Sequence, residues 1–342
     1  MAVTTEYHAE TTKINSSDDV FSESLRSMQI TGSLLLNEDY AAPWAITIPD
    51  KVELVKSLES SNATHIAAFH LVRRGYVEIE LENKDKHIVN EGELVIVFSG
   101  MAHTLYQGTS YPACSFKTIM QTGLNIFKPT QDTYPQSTSL ICGIFMLRDT
   151  LRNPLFEALP PLLKITTDQS DNYSQATTAN IVNLLLKEMD QQSLAHSYSV
   201  ERYLELLCAR SIHSYLETLP AEQSGWLQAL KDPMAVRVIT AIHAKPEYGW
   251  SVQEMAKLVS LSPSRFAARF TEIMGTSPMV YVTRWRMYLA SKLLNETRAG
   301  IEQISTRVGY DNVAAFSRAF KRCIGSSPGV WRACRMRDTH PS

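Results

Sequence analysis

Arg265 and Arg269 stand four residues apart in "SPSRFAARFTEIMG" (262–275), and Arg318, Lys321 and Arg322 stand in "NVAAFSRAFKRCIG" (312–325), fifty residues on in the same frame. In a helix, residues three and four apart share a face. Phe266, Phe270 and Ile273 then point one way, and Ser264, Arg265, Ala268 and Arg269 the other. In the second stretch Phe316, Phe320 and Ile324 turn inward, while Ala314, Ala315, Arg318, Lys321 and Arg322 turn outward. A guanidinium can grip guanine O6 and N7 or a phosphate, and small neighbours permit close approach. The chemistry on offer is recognition of nucleic acid. Any solvated helix carries single arginines, but the same arrangement written twice is harder to attribute to chance.

The elements that must position these side chains can be read around them. Ser251 can cap a short helix, with Glu254 at the capping-box position and Val252, Met255, Ala256 and Val259 on its inner face. Ser262 caps the next helix, Pro263 opens it and Gly275 ends it. The second copy repeats the plan: Ile301, Ile304 and Val308 lead to a Gly309–Tyr310 turn, and Asn312 caps the following helix. Ser277–Pro278 and Ser327–Pro328 each start another. Two short helices at a sharp turn form a helix-turn-helix, whose second helix enters the major groove N-terminal end first. Between the copies, Tyr281, Trp285, Ala290, Leu293 and Leu294 give residues 277–297 helical spacing. A helix from Pro278 to Asn295 would be about 27 Å long. Neighbouring major-groove faces lie about 34 Å apart. One chain can therefore set two reading helices on adjacent turns.

Charge follows the same division. Of the 342 residues, those from Asp232 onward hold 16 Lys and Arg against 8 Asp and Glu, a net of +8. The remainder holds 17 against 27, a net of −10. One part seeks a polyanion and the other does not. The 44% hydrophobic and 20% charged content is ordinary for a soluble protein of two or three domains. The polar, acidic start lacks the basic and apolar regions of a secretory leader, and "LVIVF" (94–98) is strand-length, so no membrane segment is expected. Five scattered cysteines without Cys-x-x-Cys fit a reducing compartment.

Residues 1–20 read as disordered, and 21–36 as a helix and then a short strand. Between 44 and 147, "WAITI", "HIAAFHLV", "YVEIEL", "HIV", "ELVIVF", "ACSFKTIM" and "LICGIFML" read as strands at roughly ten-residue spacing, which implies a sandwich or barrel. Residues 121–139 read as a long loop. Two amphipathic helices follow, over 177–192 with Ile181, Leu184, Leu185 and Met189 on one stripe, and over 199–219. They suit a cap on the barrel or a dimer interface. "PAEQSG" (220–225) reads as a linker.

Residues 232–337 resemble the DNA-binding domain of the AraC/XylS family of bacterial transcription regulators. The resemblance is carried by "WSVQEMAKLVSLSPSRFAARFTEIMGTSPMVYVTRWRMYLASKLL" and "IEQISTRVGYDNVAAFSRAFKRCIGSSPGVWR". Ser305 and Cys323 depart from its usual residues, away from the outward faces. The first two-thirds resemble the cupin-type sensing domain of one branch, through "GSLLLNEDYAAPWAITIP", "FHLVRRGYVEIEL", "GELVIVFSGMAH", "LICGIFML" and "NPLFEALPPLLKI". The resemblance implies an α+β chain: a cupin-like β-barrel with a helical extension over 21–220, a linker over 221–231, and an all-α domain over 232–337. That domain holds helix-turn-helix motifs at about 251–275 and 301–325. It implies a cytoplasmic regulator of promoter DNA, responsive to a small-molecule effector, able to dimerise and to activate through RNA polymerase. The residues expected on DNA are Ser262, Ser264, Arg265, Ala268, Arg269, Asn312, Ala314, Ala315, Arg318, Lys321 and Arg322.

Cupin enzymes hold a metal with histidines from two strand motifs. His70 and His103 match the usual places, but the first motif offers one ligand in "FHL", and Phe98 replaces a usual proline in the second. An incomplete donor set points to barrel-lining or effector-touching histidines, with no metal, cofactor or catalytic residue expected. The alternative is a cupin-type metalloenzyme fused to a DNA-binding domain. Methyl-accepting repair proteins with this DNA domain need a clustered, metal-bound cysteine; Cys114, Cys142 and Cys208 offer no such spacing.

Overall fold

Ten segments rich in Leu, Ile and Val pair into two five-stranded sheets in a computed structural model that describes residues 17–58, 65–108, 113–123, 125–148, 153–167, 173–191, 194–220 and 224–338. The chain divides into two compact units, Leu25–Glu222 with Gly329–Ser342, and Met1–Ser24 with Gln223–Pro328. Helix α1 (Ser17–Ser27) opens the described chain, so residues 17–20, expected to be disordered, are instead helical with Val20 fully buried, and the rest of the expected disorder, before residue 17, lies outside the described residues.

The strands of the first unit are β1 (Thr31–Tyr40), β2 (Trp44–Ile48), β3 (His65–Arg74), β4 (Tyr76–Leu81), β5 (Lys86–Asn90), β6 (Glu93–Val97), β7 (His103–Gln107), β8 (Cys114–Ser115), β9 (Thr138–Leu147) and β10 (Leu163–Thr166). One sheet runs β1-β9-β3-β6-β10 and the other β5-β4-β7-β2-β8. Period-two alternation explains the shared interior. Ile66, Ala68 and Val72 of β3, Val77, Ile79 and Leu81 of β4, Leu105 of β7, and Leu140, Cys142 and Ile144 of β9 meet in one core. The other face of β3 is buried too: Phe69 stacks on Phe145 with ring centroids 4.7 Å apart.

Helices α2 (Lys51–Ser57), α3 (Phe116–Thr122), α4 (Pro154–Glu157), α5 (Tyr173–Gln191) and α6 (His196–Thr218) complete this unit. A Cβ on Gly32 would run into the Leu204 side chain, so α6 packs directly on β1. The strand expected over 113–120 is mostly helix. Only Cys114 and Ser115 pair, in parallel with β2. Phe116 and Ile119 then bury one helical face, and Gly123 closes the turn at φ 63. Leu184 does not join the inner stripe of α5; it is exposed, while Ile181, Val182 and Leu185 are buried.

The second unit holds α7 (Trp226–Ala229), α8 (Pro233–Ala244), α9 (Val252–Leu258), α10 (Pro263–Met274), α11 (Pro278–Glu296), α12 (Ile301–Arg307) and α13 (Val313–Ile324); α14 (Pro328–Asp338) follows. Among the described residues, no helix is long and apolar enough to cross a membrane.

Candidate nucleic-acid interface

Local chemistry fixes both α10 and α13. Ser262 Oγ accepts from Arg265 N, Pro263 stands in the first turn of α10, and Gly275 ends it in the left-handed region at φ 67. Asn312 Oδ1 accepts from Ala314 N at 2.8 Å and Ala315 N at 3.0 Å, and Gly325 closes α13 at φ 94. Each helix drives two phenylalanines inward. Phe266 and Phe270 have ring centroids 5.6 Å apart at 50°, and Phe316 and Phe320 5.8 Å apart at 51°. All four are fully buried. The duplication in sequence is thus a duplication in packing, and it turns equivalent faces outward.

Those outward faces carry the residues expected there. Ser262, Ser264, Arg265, Ala268 and Arg269 are exposed on α10 and its cap. Asn312, Ala314, Arg318, Lys321 and Arg322 are exposed on α13 and its cap, and Ala315 is half-buried. One partnership has no signature in the sequence. Arg269 Nη2 meets Asp232 Oδ2 at 2.8 Å, and the same carboxylate caps α8 by accepting from Ala235 N. Burial pushes the Asp232 carboxyl up, but the bonds from the Ala235 N–H and from Arg269 outweigh it and leave its pKa below the ordinary value. Asp232–Pro233 announces a helix start; nothing in sequence announces a partner 37 residues away.

An aromatic cluster supports the spacer helix α11. His243 Nε2 bonds the Tyr281 hydroxyl at 2.8 Å, and Trp226 Nε1 donates to the same oxygen at 3.2 Å. The cluster joins α7 and α8 to α11. Burial holds His243 neutral, its pKa lowered to about 3.

In the barrel interior His70 Nε2 and His103 Nε2 are 2.8 Å apart, and His103 Nδ1 lies 3.0 Å from Met101 O. A carbonyl only accepts, so His103 carries its proton on Nδ1. Its Nε2 then accepts from His70 Nε2–H. That assignment leaves His70 Nδ1 as a buried lone pair with no partner among the described residues. Burial lowers His103 to about 4, and burial together with His103 lowers His70. Cys142 sits directly across from His70 in the β3–β9 register, its thiol pushed up to about 12 by burial. Tyr40, on the same core, keeps a buried hydroxyl without a partner among the described residues. His65 instead bonds Phe98 O at 2.6 Å. Among the described residues, no group of three or more His, Cys, Asp or Glu converges as a metal site needs. A catalytic zinc takes three protein ligands. Two imidazole nitrogens bonded to each other do not fit one, and no chemistry is derived through a metal.

Two five-stranded sheets with a buried, bonded histidine pair in their shared interior, followed in sequence by two matched helix-turn-helix units, define a two-part chain in which a β domain precedes a helical one. The family described as cupin matches residues 19–217, more than half of the chain, and the family described as a helix-turn-helix domain matches residues 255–333. The chain belongs to the cupin family with an AraC-type helix-turn-helix domain behind it, and it is a DNA-binding transcriptional regulator. A Streptomyces lividans chain named as an AraC-like transcription regulator is 29% identical over 279 residues, covering 79% of this chain and 88% of that one. The HTH-type transcriptional regulator AlkR of Acinetobacter baylyi is 27% identical over 270 residues, covering 77% and 86%. Among solved structures, the C-terminal domain of AraT, a response regulator from Geobacillus stearothermophilus, is 30% identical with a TM-score of 0.30, covering 30% of this chain and 87% of that one.

Proposed function

We propose that the protein reads promoter DNA with the outward faces of α10 and α13, senses a small molecule in the barrel, and activates transcription when that molecule is bound. The observation that carries the reading is the matched pair of faces, each a capped helix whose phenylalanines are locked inward. Arg265 and Arg318 suit base edges, and Lys321 and Arg322, in the last turn of α13, suit phosphate. Buried lone pairs and hydroxyls are costly unless partnered, so His70 Nδ1 and the Tyr40 hydroxyl are the polar atoms that an effector would satisfy. On this reading the barrel binds and performs no turnover.

Activation would run through contact with RNA polymerase in the cytoplasm. A homodimer built over α5 and α6 accounts for their exposed Leu184 and Leu206. Selection of bound genomic fragments by the full-length protein, with and without cell extract, tests the whole reading. A recurrent bipartite sequence whose recovery depends on a small-molecule fraction of the extract supports it. Recovery of random fragments in both cases contradicts it.

A further inference from the structure

Arg286 lies near the middle of α11 and is half-buried, unlike its exposed neighbour Arg284. All three guanidinium nitrogens are committed to main-chain carbonyls. Nε donates to Pro246 O at 2.8 Å, Nη2 to Tyr248 O at 2.7 Å and Nη1 to Gly309 O at 3.1 Å. Its Cζ also stands 5.7 Å from the centroid of the Tyr310 ring. Pro246 and Tyr248 belong to the segment between α8 and α9, which leads into the first motif. Gly309 and Tyr310 form the turn between α12 and α13, inside the second. One side chain on the spacer therefore holds both motifs by their backbones.

The same point is where the two motifs abut. A Cβ on Gly309 would stand 2.6 Å from Arg286 Nη2 and 2.9 Å from the Glu247 Cα, and Gly309 sits at φ +80. Only glycine combines that left-handed backbone with so close an approach. The contact matters because it ties the two motifs directly to each other, beside the packing of each against α11. The chain leaves α10 through Gly275 and enters α12 at Gly300, two glycines at which a Cβ would meet no main-chain atom within 4 Å. A planar fork with donors in fixed directions can hold three carbonyls at once; a lysine ammonium on a flexible stem cannot reproduce that geometry.

We propose that Arg286, seated against Gly309, locks the two helix-turn-helix motifs into one mutual orientation, so that α10 and α13 meet DNA as a single rigid reader. The proposal rests on the DNA-reading role of those two helices. Arg286 is a positioning residue in it, since each of its guanidinium nitrogens already donates to a main-chain carbonyl. Once one motif is seated, the lock presents the other at high effective concentration to the neighbouring groove. It also makes affinity depend on the spacing between the two DNA segments.

The test uses the full-length chain and a duplex that the wild-type protein selects from a random-sequence library. Dissociation constants are measured for that duplex, for versions with either segment scrambled, and for one with a base pair inserted between segments. Arg286→Met is expected to weaken binding to the intact duplex by about tenfold or more and to erase most of the insertion penalty, while one-segment duplexes change by less than about twofold. Gly309→Ala should shift binding the same way, and Arg286→Lys should fall between. An Arg286→Met protein that keeps both its affinity and its spacing preference overturns the proposal. Equal losses on intact and one-segment duplexes overturn it as well, because the residue would then merely support a motif. If circular dichroism shows Arg286→Met unfolded, Arg286→Lys and Gly309→Ala are measured on the same duplexes, and either of those two results overturns the proposal there too. If the wild type selects no sequence, or a single segment only, the twin-reader function fails first and the lock falls with it.

Discussion

His243 lies flat on Trp285, with ring centroids 3.4 Å apart and planes 7° from parallel. The stack presses α8 onto the spacer helix α11, and the Tyr281 hydroxyl closes it from the side. It has a cost in acid. His243 is neutral in the fold, with a pKa of about 3 against an ordinary 6.5. As pH falls, the unfolded chain takes up this proton first. The stabilisation is therefore complete above the unfolded value and is lost progressively from 6.5 toward 3. Between pH 7 and 5 this residue should remove about 2 kcal/mol. Urea titrations across that range, compared between wild type and His243→Phe, check it: the variant should show a shallower decline. Equal slopes would mean that His243 is not held neutral.

Phe270 should anchor the first motif. It is fully buried between Phe266 and Tyr281, with ring centroids at 5.6 and 6.0 Å. Phe270→Ala should cost about 3–5 kcal/mol, the usual range for deleting a buried aromatic. A melting temperature equal to that of the wild type would show that α10 does not depend on this packing.

Arg265 and Arg269 should behave differently although they share a face. Arg265→Ala should cost about 1–3 kcal/mol of DNA affinity and relax base preference at one position. Arg269 is shared with Asp232, so Arg269→Ala should also lower thermal stability slightly, by less than about 1 kcal/mol as for exposed ion pairs. Binding to the selected duplex and to base-substituted versions separates the two effects. A uniform loss across all sequences with Arg265→Ala would make that residue a phosphate anchor.

His103→Phe should leave the His70 Nε2–H without its acceptor inside the barrel. The expected cost is about 1–3 kcal/mol of stability, with affinity for the selected duplex unchanged in the absence of effector. Unaltered stability would show that the pair is not bonded as described.

Much of the second unit is legible in the chain because its signals are local. Ser262–Pro263 and Gly275 bracket α10, Asn312 and Gly325 bracket α13, and Phe pairs four apart mark the inner faces. The barrel strands with clean alternation, such as β4, are equally plain. Expectation and structure part where local signals conflict or where tertiary contacts decide. "ACSFKTIM" has strand-like composition, but Phe116 and Ile119 are three apart and Gly123 follows as a helix stop. Leu184 fits a helical stripe by spacing and faces solvent, because α6 covers a stripe that runs through Ile181 and Leu185. The bond between His70 and His103 joins strands 33 residues apart. The reach of Arg286 to three carbonyls depends on how three segments converge, which no spacing encodes.

The most direct measurement is hydroxyl-radical footprinting of the full-length protein on a duplex it has selected, repeated over a salt series. The account predicts two protected segments on one face, about one helical turn or 10 base pairs apart, with affinity falling steeply as salt rises. A single protected segment, or affinity indifferent to salt, would contradict the claim that α10 and α13 read neighbouring grooves together.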